Sequence, residues 1–480
     1  MSGPRTRVIG WSVAALALLL AGTGVAANLK GDLRLIDAVR RQDAAAVRAL
    51  ITQVDVNTPA PDGATALHWA AHLDDLATAD LLTRARARVN ATNDYGVTPL
   101  SLACTNGNTA MIALLLTRGA DANLPLPSGE TPLMTAARTG NVEAVKTLLA
   151  HGADVAAREP TAKQNALMWA LSEGHLAVAQ TLLEAGADVH ARSAGGSTPL
   201  LFAVRQGSLD ATTALLARGA DVNEAADDGV GALLVATLRG HETLAEFLLD
   251  QGADADAGAA GYTALHWAVG RWESTITYSY ANTRNEEWAA LGGVPTRKIE
   301  LIKKLLAKGA DPNARMTKRL PRFGFTLFSK PLIDGATPFL LAALSADVDV
   351  MRLLVANGAD PMLKTPTGHT AMMFAAGLGR VVGDSLITDG QATAAVRQCL
   401  EFGNDITATN IDGDTALHGS AYFGHDGVAQ FLIEHGAPLN ARNKKGETPL
   451  KVAQGYAANM LLVINPSTAA VISKLGGKVD

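Results

Sequence analysis

A Thr-led apolar segment recurs through this chain at a nearly fixed interval, and the interval limits what the chain can fold into. It starts at Thr65, Thr98, Thr131, Asn165, Thr198, Gly231, Thr263, Thr337, Thr370, Thr415 and Thr448. Successive starts lie 33, 33, 34, 33, 33, 32, 74, 33, 45 and 33 residues apart. Residues 130–154 give the cleanest copy. Thr131 can accept a backbone N–H that the first turn of a helix leaves unpaired. Pro132 follows at the first helical position, where a missing N–H costs nothing. A short apolar helix then runs to Gly140. Asn141 can cap a second helix, whose Val142, Val145, Leu148 and Leu149 share one face. Gly152 supplies a left-handed residue to end it. Two helices this short cannot bury their apolar stripes alone, so each unit needs a neighbour on either side. A chain of such units grows by stacking and not by enlarging one core.

The period and the motifs TALHWAA at 65–71, TPLMTAA at 131–137, TALHWA at 263–268, TALHGSA at 415–421 and TPLKVA at 448–453 resemble the ankyrin family. Helix ends of the GAD type at 119–121, 152–154, 186–188, 219–221, 252–254, 309–311 and 358–360 strengthen the likeness. The resemblance implies an all-α fold, an ankyrin-repeat solenoid of stacked helix pairs with projecting β-turn loops. It also implies a scaffold that binds another protein through its concave face, and no chemistry. A monomer is expected. Hydrophobic residues make up 48% of the chain, enough for a continuous core, and the formal charge of -5 argues against nucleic acid, which needs a basic footprint.

The organisation expected in order is a signal over residues 1–27, an N-terminal capping helix pair over 28–58, and six repeats over 59–262. A seventh repeat with two insertions follows over 263–336, then repeats eight to eleven over 337–455 with an insertion in the ninth, and a C-terminal capping segment over 456–480. The signal reading rests on Arg5 and Arg7, the apolar stretch 13–21 and the small residues Val25, Ala26 and Ala27. Cleavage after Ala27 would place the body in the periplasm or outside the cell. The alternative is a retained inner-membrane anchor, since residues 8–27 carry no charge and are about long enough to span a bilayer. Membrane association is expected only in that case. At the far end, Ser467 is read as the cap of a closing helix over 468–475.

No phosphate loop, HExxH pair or GxSxG elbow occurs. His68, His266 and His418 share the fourth position of the motif, and the family resemblance gives them a structural role near the neighbouring turn. His151, His175, His241 and His435 fall at helix ends and read as solvated caps. Cys104 and Cys399 replace small or apolar core residues, and in the second and ninth repeats they are too far apart to bridge. No catalytic, metal or cofactor residue is assigned. Glu286 or Glu287 beside Tyr280 is the nearest approach to a catalytic arrangement, and enzyme or small-ligand binding through that insertion is the last alternative.

Departures from the pattern carry the partner hypothesis. Arg86 stands where Gly119 stands in the next repeat, so that helix end is expected to rearrange. Gly231 replaces a capping Thr, and residues 253–260 read as a mobile turn. Insertions of 25, 16 and 12 residues fall near 271–297, 316–333 and 379–391. Residues 271–333 hold 7 of the 22 aromatic residues, more than twice an even share. Among them are Trp272, Tyr278, Tyr280 and Trp288. The basic-aromatic run Arg319, Arg322, Phe323 and Phe325 joins them, with Pro321 and Gly324 holding it out of regular structure. Aromatic and Arg side chains carry interface hot spots, so these eight residues are the candidate partner-binding set. For Trp272 and Trp288, packing of the excursion onto the stack as a small core of its own is at least an equal reading.

Overall fold

The computed structural model describes residues 32–270, 298–318, 333–380, 387–458 and 461–479. It divides into two units, one ending at Ala220 and one running Asp221–Asp480. Both are helix-pair stacks. In the first unit the pairs are Arg34–Arg40 with Ala44–Leu50, Ala66–His72 with Leu76–Arg84, Pro99–Asn106 with Thr109–Thr117, Pro132–Thr139 with Val142–Ala150, Ala166–Ser172 with Leu176–Glu184, and Pro199–Gln206 with Leu209–Leu216. First helices pack on first helices and second on second. Leu67, Leu100, Leu133, Leu167 and Leu200 repeat at one position and are all buried. The helices start where the capping chemistry places them. The Thr98 hydroxyl accepts from Ser101 N at 3.0 Å and Asn141 Oδ1 from Ala144 N at 3.0 Å.

The second unit has the same grammar. Its pairs are Ala232–Leu238 with Glu242–Asp250, Ala264–Val269 with Lys298–Ala307, Pro338–Leu344 with Val348–Ala356, Ala371–Ala375 with Asp389–Glu401, Ala416–Phe423 with Asp426–Glu434, and Pro449–Gln454 with Pro466–Lys474. Ala264–Val269 packs on Pro338–Leu344 despite the residues between them in sequence. Strands Tyr456–Ala458 and Leu461–Val463 form a small antiparallel pair between the last two helices, with Tyr456 opposite Val463. This is the one strand pair among the described residues, and the apolar pattern did not announce it.

Between layers the chain projects turns that bond to one another. Asp94 N donates to Asp62 O at 2.9 Å, Ala194 N to Ala162 O at 2.7 Å, and Lys444 N to Asp412 O at 2.8 Å. Elsewhere a proline replaces that bond by packing on the preceding glycine. A Cβ on Gly96 would lie 2.5 Å from Pro127 Cγ.

Four expectations change. Arg86 does not rearrange its helix end. It takes the left-handed conformation itself, with φ 64°, and Ala87 N still reaches Leu82 O at 3.0 Å. The turn after Gly252 is bonded like its neighbours, with Asp254 N on Asn223 Oδ1 at 2.8 Å and Asp311 N on Asp256 Oδ1 at 2.7 Å. The last helix begins at Pro466, two positions earlier than Ser467 capping would allow. Asn465 precedes it, with its side chain turned away to donate to Ala421 O and Tyr422 O. In the ninth repeat part of the insertion is helix. Asp389–Glu401 has 13 residues where the second helices of repeats one to four have 9.

Candidate interaction surfaces

Trp272, Tyr278, Tyr280, Trp288, Arg319, Arg322, Phe323 and Phe325 all lie outside the described residues, as do Glu286 and Glu287. The structure does describe where the insertions leave and rejoin the stack, and a general rule of the fold governs those points. The last carbonyls of a first helix have no partner within the helix. Here the next layer supplies donors. Asn106 Nδ2 reaches His72 O at 3.0 Å, Asn141 Nδ2 reaches Gly107 O at 2.6 Å, and His175 Nε2 donates to Arg138 O at 3.0 Å. His175 is therefore half-buried in the stack and no solvated cap.

At the insertions a cation takes over this task, which suits the negative end of a helix. Lys298 Nζ donates to Val269 O at 3.0 Å and Gly270 O at 3.2 Å, and pairs with Asp347 Oδ2 at 3.3 Å. It thereby closes the base of the first excursion. Arg380 does so for the third, with Nε on Leu344 O at 2.9 Å and Nη2 on Ala375 O at 3.1 Å. Both clamps end on the turn of the eighth repeat that links Pro338–Leu344 to Val348–Ala356. For the middle insertion, Thr317 N donates to Gly261 O at 2.8 Å and Met316 N to Ala336 O at 3.1 Å.

The first-helix face of the unit ending at Ala220 carries a second set of contact-type residues. Trp69, Trp169 and Phe202 occupy the same position in repeats one, four and five and are half-buried. Arg40 from the preceding layer lies over the Trp69 ring at 4.7 Å, and Arg138 over Trp169 at 5.6 Å. His72 meets Trp69 edge-on at 5.9 Å. The Trp169 Nε1 is shielded from solvent with no acceptor among the described residues. The candidate set drawn from the sequence missed this row. The recurring Trp in TALHWAA and TALHWA was its signal.

The recurrent histidines are structural. Thr65 N–H donates to His68 Nδ1 at 3.0 Å, so the ring proton sits on Nε2, which donates to Val97 O at 3.0 Å. His266 repeats this between Thr263 N and Ala314 O, and His418 between Thr415 N and Glu447 O. All three are fully buried. Burial disfavours their charged form and pushes His266 down to about 4. Cys104 and Cys399 are free and buried, with thiols raised by desolvation. Among the described residues no group of His, Cys, Asp or Glu is placed to hold a metal ion. None of the helices described is long and apolar enough to cross a membrane. These surfaces offer contact chemistry.

A family model described as "Ankyrin repeats (3 copies)" matches residues 35–125, 78–159, 112–193, 159–226, 200–276 and 385–470. One described as "Ankyrin repeat" matches residues 334–366. Ankyrin repeat and SOCS box protein 16 of Mus musculus is 36% identical over 117 residues, 24% of this chain and 25% of that protein. The Transient receptor potential cation channel subfamily A member 1 homolog of Caenorhabditis elegans is 32% identical over 121 residues, 25% of this chain and 9% of that protein. NF-kappa-B inhibitor alpha of Homo sapiens is 30% identical over 106 residues, 22% of this chain and 32% of that protein. The matched stretch thus spans a third or less of each of these relatives. A crystal structure of the human ASB11 ankyrin repeat domain aligns with 46% of this chain and 98% of its own, at 28% identity and a TM-score of 0.42. The matched segments of the family models together take in well over half of the sequence, and the chain belongs to the ankyrin repeat family.

Proposed function

We propose that this protein is an exported scaffold that binds another protein, using the face of its first helices and the basic-aromatic insertion after the seventh repeat. The observation that carries the reading is the way the insertions are held. A stack gains nothing in its own core from long excursions, yet Lys298 and Arg380 fix the bases of two of them at buried helix ends. Residues anchored in that way are suited to presentation. NF-kappa-B inhibitor alpha, as its name says, inhibits NF-kappa-B, and the likeness to it favours a binding role. Export rests on the sequence of residues 1–27 alone.

The test is affinity purification from the native envelope with the wild-type chain and with Arg319→Ser, Arg322→Ser, Phe323→Ala and Phe325→Ala combined. The stack should melt unchanged while the specific partner is lost; an identical set of captured proteins would reject the insertion as the contact. Mass spectrometry of the native N-terminus separates export from tethering. Asn28 as first residue means cleavage, and a retained apolar segment means an anchored scaffold.

A further inference from the structure

Residues 32–220 are acidic on balance, yet one face of them is not. Residues 32–220 carry 15 Lys and Arg against 18 Asp and Glu. On the first-helix ends of that unit the balance reverses. Arg40, Arg41, His72 and Arg138 lie there, with two exposed acids as exceptions, Asp74 just after His72 and Glu173 beside Trp169. Arg40 makes no ion pair among the described residues, although it is exposed and lies over the Trp69 ring at 4.7 Å. We propose that this face docks an extended acidic segment of a partner protein, seated on the Arg40–Trp69 and Arg138–Trp169 pairs. The proposal rests on the binding-scaffold reading above and names the chemistry of its partner.

The chain already displays the contact in miniature. Glu130 Oε1 lies 3.3 Å from Arg138 Nη2 and accepts from the Thr135 hydroxyl at 2.8 Å, while the guanidinium keeps its place over the indole. An arginine whose face rests on an aromatic ring still offers its edge, and its five N–H groups can serve more than one carboxylate. An incoming acid that draws Arg138 outward also offers the orphan Trp169 Nε1 an acceptor. Aromatic surface beside each cation gives the partner apolar contact and excludes water, which strengthens the charge-assisted bonds. The two pairs also set a length. Arg40 and Arg138 stand three layers apart, roughly 24–30 Å at 8–10 Å per helix layer. An extended strand covers that in about 7–9 residues. The segment sought therefore carries two acidic clusters at that spacing.

The experiment is selection of displayed random 12-residue peptides on the full chain. Selected peptides are then titrated by fluorescence anisotropy against wild type, Arg40→Gln with Arg138→Gln, Arg40→Lys with Arg138→Lys, and Trp69→Phe with Trp169→Phe. Thermal melts accompany each variant. The expected result is enrichment of Asp and Glu in two clusters. Affinity should fall at least ten-fold in the Gln pair with an unchanged melt, partly recover in the Lys pair, and weaken with salt. A 12-nucleotide single strand and phosphatidylserine vesicles serve as competitors. Neutral or basic selected peptides, affinity indifferent to the Gln pair, no enrichment at all, or stronger binding to the DNA or vesicles each overturns the proposal. If native partners are still captured while selected peptides are not acidic, the scaffold reading stands and only this assignment falls.

Discussion

Arg86 holds a backbone conformation that side chains with a Cβ avoid, at φ 64°, and gains nothing from holding it that glycine would not. Its equivalents Gly119, Gly152, Gly186 and Gly219 have φ between 82° and 91°, and a Cβ there would meet nothing within 4 Å. The cost is therefore torsional and not a clash. Its backbone keeps the fold's bonds regardless, with Asn57 Nδ2 on Arg86 O at 3.3 Å and Arg88 N on Asn57 Oδ1 at 2.7 Å. Replacing Arg86 with Gly should raise stability by about 1 kcal/mol, less the entropy glycine adds to the unfolded chain. Urea melts of the two proteins measure it, and a destabilised variant would show that the side chain does something the structure does not reveal. At this scale the sequence was legible where the partner is near. Thr98 and Ser101, three residues apart, announce their cap. The Asn90 bridge is different. Its amide donates to Gly119 O at 3.1 Å and accepts from Asp121 N at 2.8 Å, some 30 residues on. Only the stacking register makes that pairing visible.

Helix Asp426–Glu434 lacks a cap of its own, because His425 at its start makes no side-chain bond to it. The preceding repeat supplies one. The longer helix Asp389–Glu401 carries Asp389 to the gap, where Oδ2 accepts from Gly427 N at 2.7 Å and Oδ1 from Val428 N at 3.3 Å. Gly427 permits the approach, since a Cβ there would stand 2.8 Å from that carboxylate. Asp389→Ala should cost about 1 kcal/mol, the usual value of an N-cap, although the residue belongs to another helix. Asp389→Asn should recover part of it, because the single amide oxygen can accept the shorter bond from Gly427 N while the amide nitrogen can only donate. Denaturant midpoints decide, and an Ala variant as stable as wild type would rule the contact out as a cap. Sequence spacing located the extra residues of the ninth repeat near 379–391 but could not say that the last of them extend a helix. Thr388 and Gln391 form a capping box that signals this start, and the period count obscured it. The strand pair after Gln454 was hidden for a related reason, since short apolar runs fit helix and strand equally.

Across the molecule, the buried histidines are unevenly shared between the two units, and this gives each its own response to acid. The unit ending at Ala220 has His68, whose pKa burial lowers. The unit Asp221–Asp480 has His266 and His425, both pushed down to about 4 by burial, with Arg380 adding to the shift of His425. His369 and His418 are lowered as well, again mainly by burial. A histidine whose folded pKa lies below its unfolded 6.5 contributes stability that is complete above 6.5 and lost as pH falls. Between about 4 and 6.5 the unfolded chain holds a proton that the folded chain refuses. Each such group then costs up to about 1.4 kcal/mol per pH unit. Carboxylates held low by their partners, such as Asp80 beside Arg118 and Asp250 beside Lys304, protonate below this window and do not confuse it. Acidification from pH 7 to pH 5 should therefore open Asp221–Asp480 well before the other unit. Hydrogen exchange read peptide by peptide is the measurement. Protection should fall first around Ala264–Val269 and Ala416–Phe423, with Pro132–Thr139 nearly unchanged. The step should shrink when His266 is replaced by Gln, which cannot take up a proton. Loss of protection in both units together, or first in the helices before Ala220, would mean that these buried rings do not set the acid limit of the fold.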